Sequence, residues 1–360
     1  MMHSHEDFLK TRFFGSLDGL RFVSIAAVVW HHTGSRAFTL PLLKQGYHGV
    51  TFFFAISGFL ITTLLLREHE RHGQISLRKF YIRRSLRIFP LYYAVLLLYC
   101  VVVKLVEGDS STGQQFFSNL KFYLTYTSNW FVQLDADRVI FYFAWSLATE
   151  EQFYLVWPSV QSWIKGRGPI WVALVTVLVS QLAAFGVFSA APALLVRILA
   201  SFSTAICLGV VLAHLLHRRQ SYQVLDRAFG RRWSLPLFAA LSILALGWGE
   251  RLGLANRPLV ELLLVAIVAS CVIREDHLLS KALRWKPVAW VGTVSYGVYL
   301  LHMLSANAVK KLLPGITHGT SQRASLAYFL ATLAVGVAAA TVSFRTYESF
   351  FLRLKKRFET

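Results

Sequence analysis

Apolar stretches of about 20 residues recur from one end of the chain to the other, each long enough to cross a ~30 Å hydrocarbon core. Lipid offers the backbone no hydrogen-bond partners, so only helices or a closed barrel can span it. Weak alternation and long Leu, Val, Ala and Phe runs select helices. Composition agrees, with 55% hydrophobic and only 15% charged residues, against about 25% charged in soluble domains. Ten spans are predicted, near 14–34, 49–66, 88–106, 141–163, 169–188, 193–216, 235–250, 258–273, 288–309 and 324–344. The fold class expected is an all-α polytopic membrane protein of about ten transmembrane helices.

A formal charge of +19 raises the question of nucleic acid. The basic residues are not gathered in one domain; they sit in alternate loops. With the N-terminus inside, inner loops and tails hold 25 of the 37 Lys and Arg residues. That bias sets both termini in the cytoplasm and makes the bilayer, not nucleic acid, the partner. The first segment is expected to be retained, because about a dozen mixed-charge residues precede it and no cleavage site follows. Residues 1–360 are expected to form one transmembrane domain, with a cytoplasmic tail at 1–13, a basic one at 345–360, and no attached soluble domain. The outer segment 107–140, with Glu107, Asp109, Asp135 and Asp137, is long enough to fold over an entrance. Cys100, Cys207 and Cys271 lie in apolar segments without paired or metal-type spacing and read as packing residues, so no metal is expected.

Four stretches carry ionisable or polar side chains into this apolar background. In "LDGLRFVSIAAVVWHH", Arg21 and His32 are eleven residues apart, so they share a helical face at about 16 Å separation. His31 lies about 100° round the helix from His32. Asp18, three residues before Arg21, can pair with it. An interfacial ion pair with snorkelling histidines would explain these residues, but an inward-facing histidine is also the natural general base near neutral pH. In "WSLATEEQFYLVWP", Ser146, Glu150 and Tyr154 make a stripe at i, i+4 and i+8, and Glu151 projects about 100° away. Intramembrane carboxylates mark functional sites unless an arginine holds them as structural pairs.

In "FYIRRSLRIFPLYY", Arg83 and Arg87 stack at i and i+4 with Arg84 beside them, and Pro90 is expected to kink or restart the helix. A positive-inside anchor accounts for any one arginine. Three guanidiniums within five residues also suit a ligand with several phosphates, such as coenzyme A. In "VGTVSYGVYLLH", Ser295, Tyr299 and His302 form a further polar stripe. Gly49, Ser57 and Gly58 in "GVTFFFAISGFLITTLLL" offer small surfaces for close helix packing. Arg197 and Glu261, near outer helix ends, are read as interfacial.

These stretches, taken in chain order, resemble the acyltransferase 3 family of bacterial integral-membrane O-acyltransferases, in its stand-alone form without a fused extracytoplasmic hydrolase-like domain. The resemblance runs through "LDGLR" with ten residues to "H", "GVTFFFAISGFLIT", "RRSLRIFPLYY", "WSLATEEQFYLVWP" and "SYGVYLLH". It implies transfer of an acyl group, usually acetyl from acetyl-CoA, to a hydroxyl of a carbohydrate or glycolipid such as O-antigen or exopolysaccharide. It also implies a multi-pass protein of the bacterial inner membrane. The family's Arg-X10-His pair falls on Arg21 and His32, its basic motif on Arg83, Arg84 and Arg87, and its acidic pair on Glu150 and Glu151.

The expected mechanism follows. Acyl-CoA docks with its phosphates on Arg83, Arg84 and Arg87. His32 deprotonates the acceptor hydroxyl, which attacks the thioester carbonyl directly. Asp18 holds Arg21 on the donor, Glu150 and then Glu151 orient and charge-stabilise His32, and Ser146, Tyr154, Ser295, Tyr299 and His302 support the site. A transporter or flippase is the competing reading, since polar residues within spans suit it too.

Overall fold

A computed structural model describes residues 4–134, 138–317 and 321–358. Among the described residues all regular structure is helical. Two compact units form, one from Met1–Arg67 with Thr204–Arg345 and the other from Glu68–Ser203 with Thr346–Thr360.

Every predicted span coincides with a helix or a pair of helices: Gly15–Thr33, His48–His72, Leu77–Glu107, Ala144–Trp163, Gly168–Ala184, Ala193–Ala200 with Thr204–Leu216, Ser234–Gly247, Asn256–Ile273, Lys286–Thr293 with Ser295–Leu312, and Gln322–Ser343. Among the described residues, five helices are long and apolar enough to cross a membrane: His48–His72, Leu77–Glu107, Ala193–Leu216, Gly253–Ile273 and Gln322–Lys356. The pair Lys286–Thr293 and Ser295–Leu312, bent by 78°, makes a sixth if it is one span. Four predicted spans fall short of that standard for two different reasons. Gly168–Ala184 and Ser234–Gly247 are apolar but short. Gly15–Thr33 and Ala144–Trp163 have 19 and 20 residues, but their polar side chains lower the hydropathy. Those two polar helices carry Arg21, His32, Glu150 and Glu151.

Small residues set the packing of the first unit. A Cβ on Gly58 would lie 2.1 Å from the Ile206 carbonyl oxygen and one on Gly209 would lie 2.4 Å from that of Ala55. His48–His72 and Thr204–Leu216 therefore meet backbone to backbone. Residues 4–13 do not trail as a plain tail. His5–Lys10 is a helix with a Ser4–Asp7 capping box. The buried Arg67 donates to the carbonyls of Phe8 and Thr11 at 2.9 and 2.6 Å and lies over the Phe8 and Phe14 rings.

In the second unit Leu77–Glu107 runs unbroken through Pro90, so the expected restart does not occur. Residues 107–140 are not a simple loop either. Ser111–Leu124, capped by Ser110, and Ser128–Phe131 are helical, while Asp135 and Asp137 lie outside the described residues. Aromatics fix this segment to the long helix: the Tyr92 hydroxyl donates to the Tyr123 carbonyl at 2.7 Å, and Tyr123 and Phe141 pack edge to face. The end of the chain is also docked, with Ser349–Lys356 packed against Leu77–Glu107 and the Tyr347 hydroxyl donating to the Pro90 carbonyl at 3.2 Å.

Candidate active site

The Gly15–Thr33 helix is held by close glycine contacts near both ends. A Cβ on Gly292 would sit 1.8 Å from the Asp18 carbonyl oxygen, and one on Gly19 would sit 2.4 Å from that of Leu283. Nearer the other end, Cβ atoms on Gly46 and Gly49 would each lie 2.4 Å from carbonyl oxygens, of Ala27 and Ser24. Only glycine permits such approach, so the azimuth of the helix is set and with it the direction of each polar side chain.

Arg21 and Asp18 form the pair that their spacing predicts, Nη1 to Oδ1 at 3.0 Å. Below them the 274–286 segment braces the start of the helix. Ser16 Oγ and His277 Nε2 are 2.9 Å apart, Arg284 Nε donates to Ser16 Oγ at 3.3 Å, and Arg284 pairs with Glu275 at 3.0 Å. Burial pushes His277 down to about 4. Hydrogen bonding from Arg232 first, then from Arg274, holds Asp276 at about 2.

At the opposite end of the same helix His32 is stacked on His302, with ring centroids 5.2 Å apart and planes inclined by 26°. His302 is fully buried, and its Nδ1 lies 2.5 Å from the Tyr299 carbonyl oxygen. A carbonyl can only accept, so Nδ1 carries the proton and, in the neutral ring, Nε2 is the basic nitrogen. His31 lies edge-on to His32 at 4.9 Å and then to Tyr47 at 5.8 Å. Tyr299 packs 5.6 Å from His302, and Ser295 is buried at the start of their helix. The structure thus brings His32, His302 and Tyr299 together.

The second unit assembles the arginine and glutamate motifs. The Tyr154 hydroxyl donates to Glu150 Oε1, and the Arg84 guanidinium lies 4.5 Å from the centre of the Tyr154 ring. Arg84 also acts electrostatically on Glu151, which lies within reach of Tyr92 and Tyr93. Arg83 is engaged within the protein: Nη2 pairs with Glu68 at 2.8 Å and Nη1 donates to the Phe358 carbonyl at 3.0 Å. Ser146 bonds the Phe143 carbonyl at 3.0 Å. Arg87 lies on the same helix, one turn beyond Arg83. His32 thus belongs to one unit and the glutamate pair to the other.

Sequence reasoning passed over one group. Glu261, read as interfacial, is 3% exposed and pairs with Arg257 at 3.3 Å. His48 and Asn256 are buried beside it in the same unit. The i, i+4 spacing of Arg257 and Glu261 was the available signal.

The acyltransferase domain profile of the acyltransferase 3 family matches residues 14–347. The chain belongs to the acyltransferase 3 family. The matched segment of this acyltransferase 3 chain contains every candidate catalytic and donor-site residue described above. It is similar to the peptidoglycan O-acetyltransferase OatA of Listeria monocytogenes, 28% identical over 314 residues, covering 80% of this chain and 48% of the relative. It is also similar to the putative peptidoglycan O-acetyltransferase YrhL of Bacillus subtilis, 28% identical over 312 residues, 81% of this chain and 48% of the relative. A putative O-acetyltransferase of Staphylococcus aureus is 32% identical over 158 residues, 42% of this chain and 25% of its own. The chain spans about half the length of the first two relatives. No solved structure matches it.

Proposed function

We propose that this acyltransferase 3 chain moves an acetyl group from acetyl-CoA to a hydroxyl of a glycan, within a multi-pass domain of the bacterial inner membrane that crosses it about ten times with both termini in the cytoplasm. The observation that carries the reading is the His32–His302 stack. It puts a half-buried imidazole, backed by a fully buried one, at one end of a helix whose azimuth glycines set. His32 is the general base: it takes the proton from the acceptor hydroxyl, the alkoxide oxygen forms the new ester bond at the thioester carbonyl, and coenzyme A leaves as the thiolate. Direct transfer requires no covalent enzyme intermediate.

Arg84 and Arg87 receive the donor's phosphates, and Arg83 fixes their helix through Glu68. Arg21, held by Asp18, steadies the donor's pantetheine or phosphate end. Glu150 works with Tyr154 to hold Arg84 in place, with Glu151 as its second. Ser146, Ser295, Tyr299 and His302 support these groups. The likeness to relatives named peptidoglycan O-acetyltransferases supports a cell-wall glycan as acceptor.

The test is acetyl transfer from radiolabelled acetyl-CoA by the purified chain in nanodiscs. His32→Ala is expected to lose about 10²–10⁴-fold in rate, while His31→Ala keeps most of it. Full activity in a folded His32→Ala protein would remove the base assignment. The 78° break between Lys286–Thr293 and Ser295–Leu312 suits a transporter as well. Substrate movement without acyl transfer in the same preparation would decide for transport.

A further inference from the structure

The rings of the first unit form a continuous line. From His302 to His32, His31, Tyr47 and His48 the successive centroids are 5.2, 4.9, 5.8 and 4.3 Å apart. The line ends in a polar group with unmet hydrogen-bonding capacity. His48 is 6% exposed, and neither of its ring nitrogens has a partner. Asn256 Oδ1, Glu261 Oε2 and Gln45 Oε1 are likewise buried and unpartnered. Buried polar atoms left this way are costly, and several in one place signal something that pairs them.

Two contacts show that these atoms form one group. A Cβ on Gly249 would lie 2.7 Å from Asn256 Nδ2 and 3.4 Å from Gln45 Nε2, so both amides converge on that glycine. The Arg257 charge acts on Tyr47 and on His48, and the same guanidinium pairs with Glu261. Exposure falls from the side chain of Arg257, at 60%, to that of Glu261, at 3%, so the group runs from an exposed guanidinium to a buried carboxylate. The unmet atoms also define the ligand. Three are carboxylate or amide oxygens, which can only accept, so the ligand that pairs them brings hydrogen-bond donors. Arg257 at the exposed end repels a cation. A neutral molecule with several hydroxyls meets both conditions, and the exposed Tyr47 ring offers an apolar face for a sugar ring.

We propose that Gln45, Tyr47, His48, Asn256, Arg257 and Glu261 form the subsite that receives a sugar ring of the acceptor, reached from His32 through His31. The proposal rests on the reading of His32 as the base that meets the acceptor hydroxyl. The sugar can arrive free or on a lipid carrier, and the chemistry of recognition is the same.

The experiment is binding to the full chain in nanodiscs, by saturation-transfer NMR, of chitotetraose and maltotetraose as free glycans and of dodecyl maltoside as a lipid-borne sugar. At least one probe is expected to bind. His48→Phe, Asn256→Ala and Gly249→Ala are each expected to weaken it about tenfold, the scale of one lost buried hydrogen bond. His32→Ala is expected to leave binding within about twofold, because that side chain meets only the reacting hydroxyl. Gly249→Ala deletes no polar group and moves only the ends of two flexible amides, so it decides the matter if another variant fails to fold. A preference for dodecyl maltoside over both free glycans assigns the subsite to a lipid-borne sugar, and the reverse to a free one. Absence of binding by all three probes, or unchanged binding in folded variants, overturns the proposal. Normal sugar binding without any acetyl transfer would leave the subsite standing and remove the acyl-transfer reading. Normal transfer with no change in His48→Phe would remove the subsite alone.

Discussion

If His302 serves to position His32, its ring matters more than its nitrogens. Alanine at 302 removes a ring with 0% exposure that faces His32 at 5.2 Å. Aromatic truncations in cores cost about 3–5 kcal/mol, and here the loss also frees one face of the His32 imidazole. Phenylalanine keeps an aromatic ring against His32 and gives up the bond to the Tyr299 carbonyl, about 1 kcal/mol. A catalytic group displaced by about 1 Å loses about 10²-fold in rate. His302→Ala is therefore expected to lower kcat by about 10²-fold, and His302→Phe by no more than about fivefold, with the donor KM unchanged in both. The assay is acetyl transfer in nanodiscs with kcat and KM measured separately, alongside Tm from intrinsic fluorescence. A His302→Phe protein with native Tm that is as inactive as His302→Ala would refute positioning by stacking and make the ring nitrogens the active part.

Gly292→Ala places a methyl 1.8 Å from the Asp18 carbonyl oxygen, a backbone atom with no room to yield, and is expected to cost about 3 kcal/mol or more; an unchanged Tm would disprove the close contact. His277, held at about 4 against an ordinary 6.5, is neutral in the fold, so as pH falls the unfolded chain takes the proton first. Stability is then complete above pH 6.5 and declines by about 2–3 kcal/mol on the way to pH 4, and His277→Gln is expected to flatten that part of the Tm–pH curve. Arg84→Lys replaces a plane by a point charge over the Tyr154 ring and is expected to raise the KM for acetyl-CoA about tenfold. Arg83→Gln instead breaks the pair with Glu68 and lowers stability by about 2 kcal/mol, measurable as a fall in Tm.

The positions of the helices were legible because burial in lipid or in a bundle writes itself into runs of apolar residues. Pairs within one helix were legible as well: Asp18 with Arg21 and Glu150 with Tyr154 follow from spacing alone. Partners supplied by distant segments were not. Nothing in the spacing of His302 points to His32, and nothing near Arg83 announces that Glu68 and the Phe358 carbonyl occupy its guanidinium. Glu261 was misplaced because its position near a helix end suggested an interface, while burial at 3% exposure is a tertiary fact. The restart expected at Pro90 is absent because the helix runs on through it, and the 107–140 segment, too long by sequence for a simple connector, is tied to that helix by aromatic packing around Tyr92 and Tyr123.

The noncontiguity of the first unit has a consequence in time. His302 is made 270 residues after His32, and at ~5–20 residues per second a ribosome needs about 15 to 50 s to get there. Throughout that interval the first helix, with its aspartate, arginine and histidines, exists without the later segments that flank it. Its glycine contact at residue 292 is synthesised almost as late. The contacts that set the Gly15–Thr33 helix and back His32 are therefore completed only when synthesis is nearly finished.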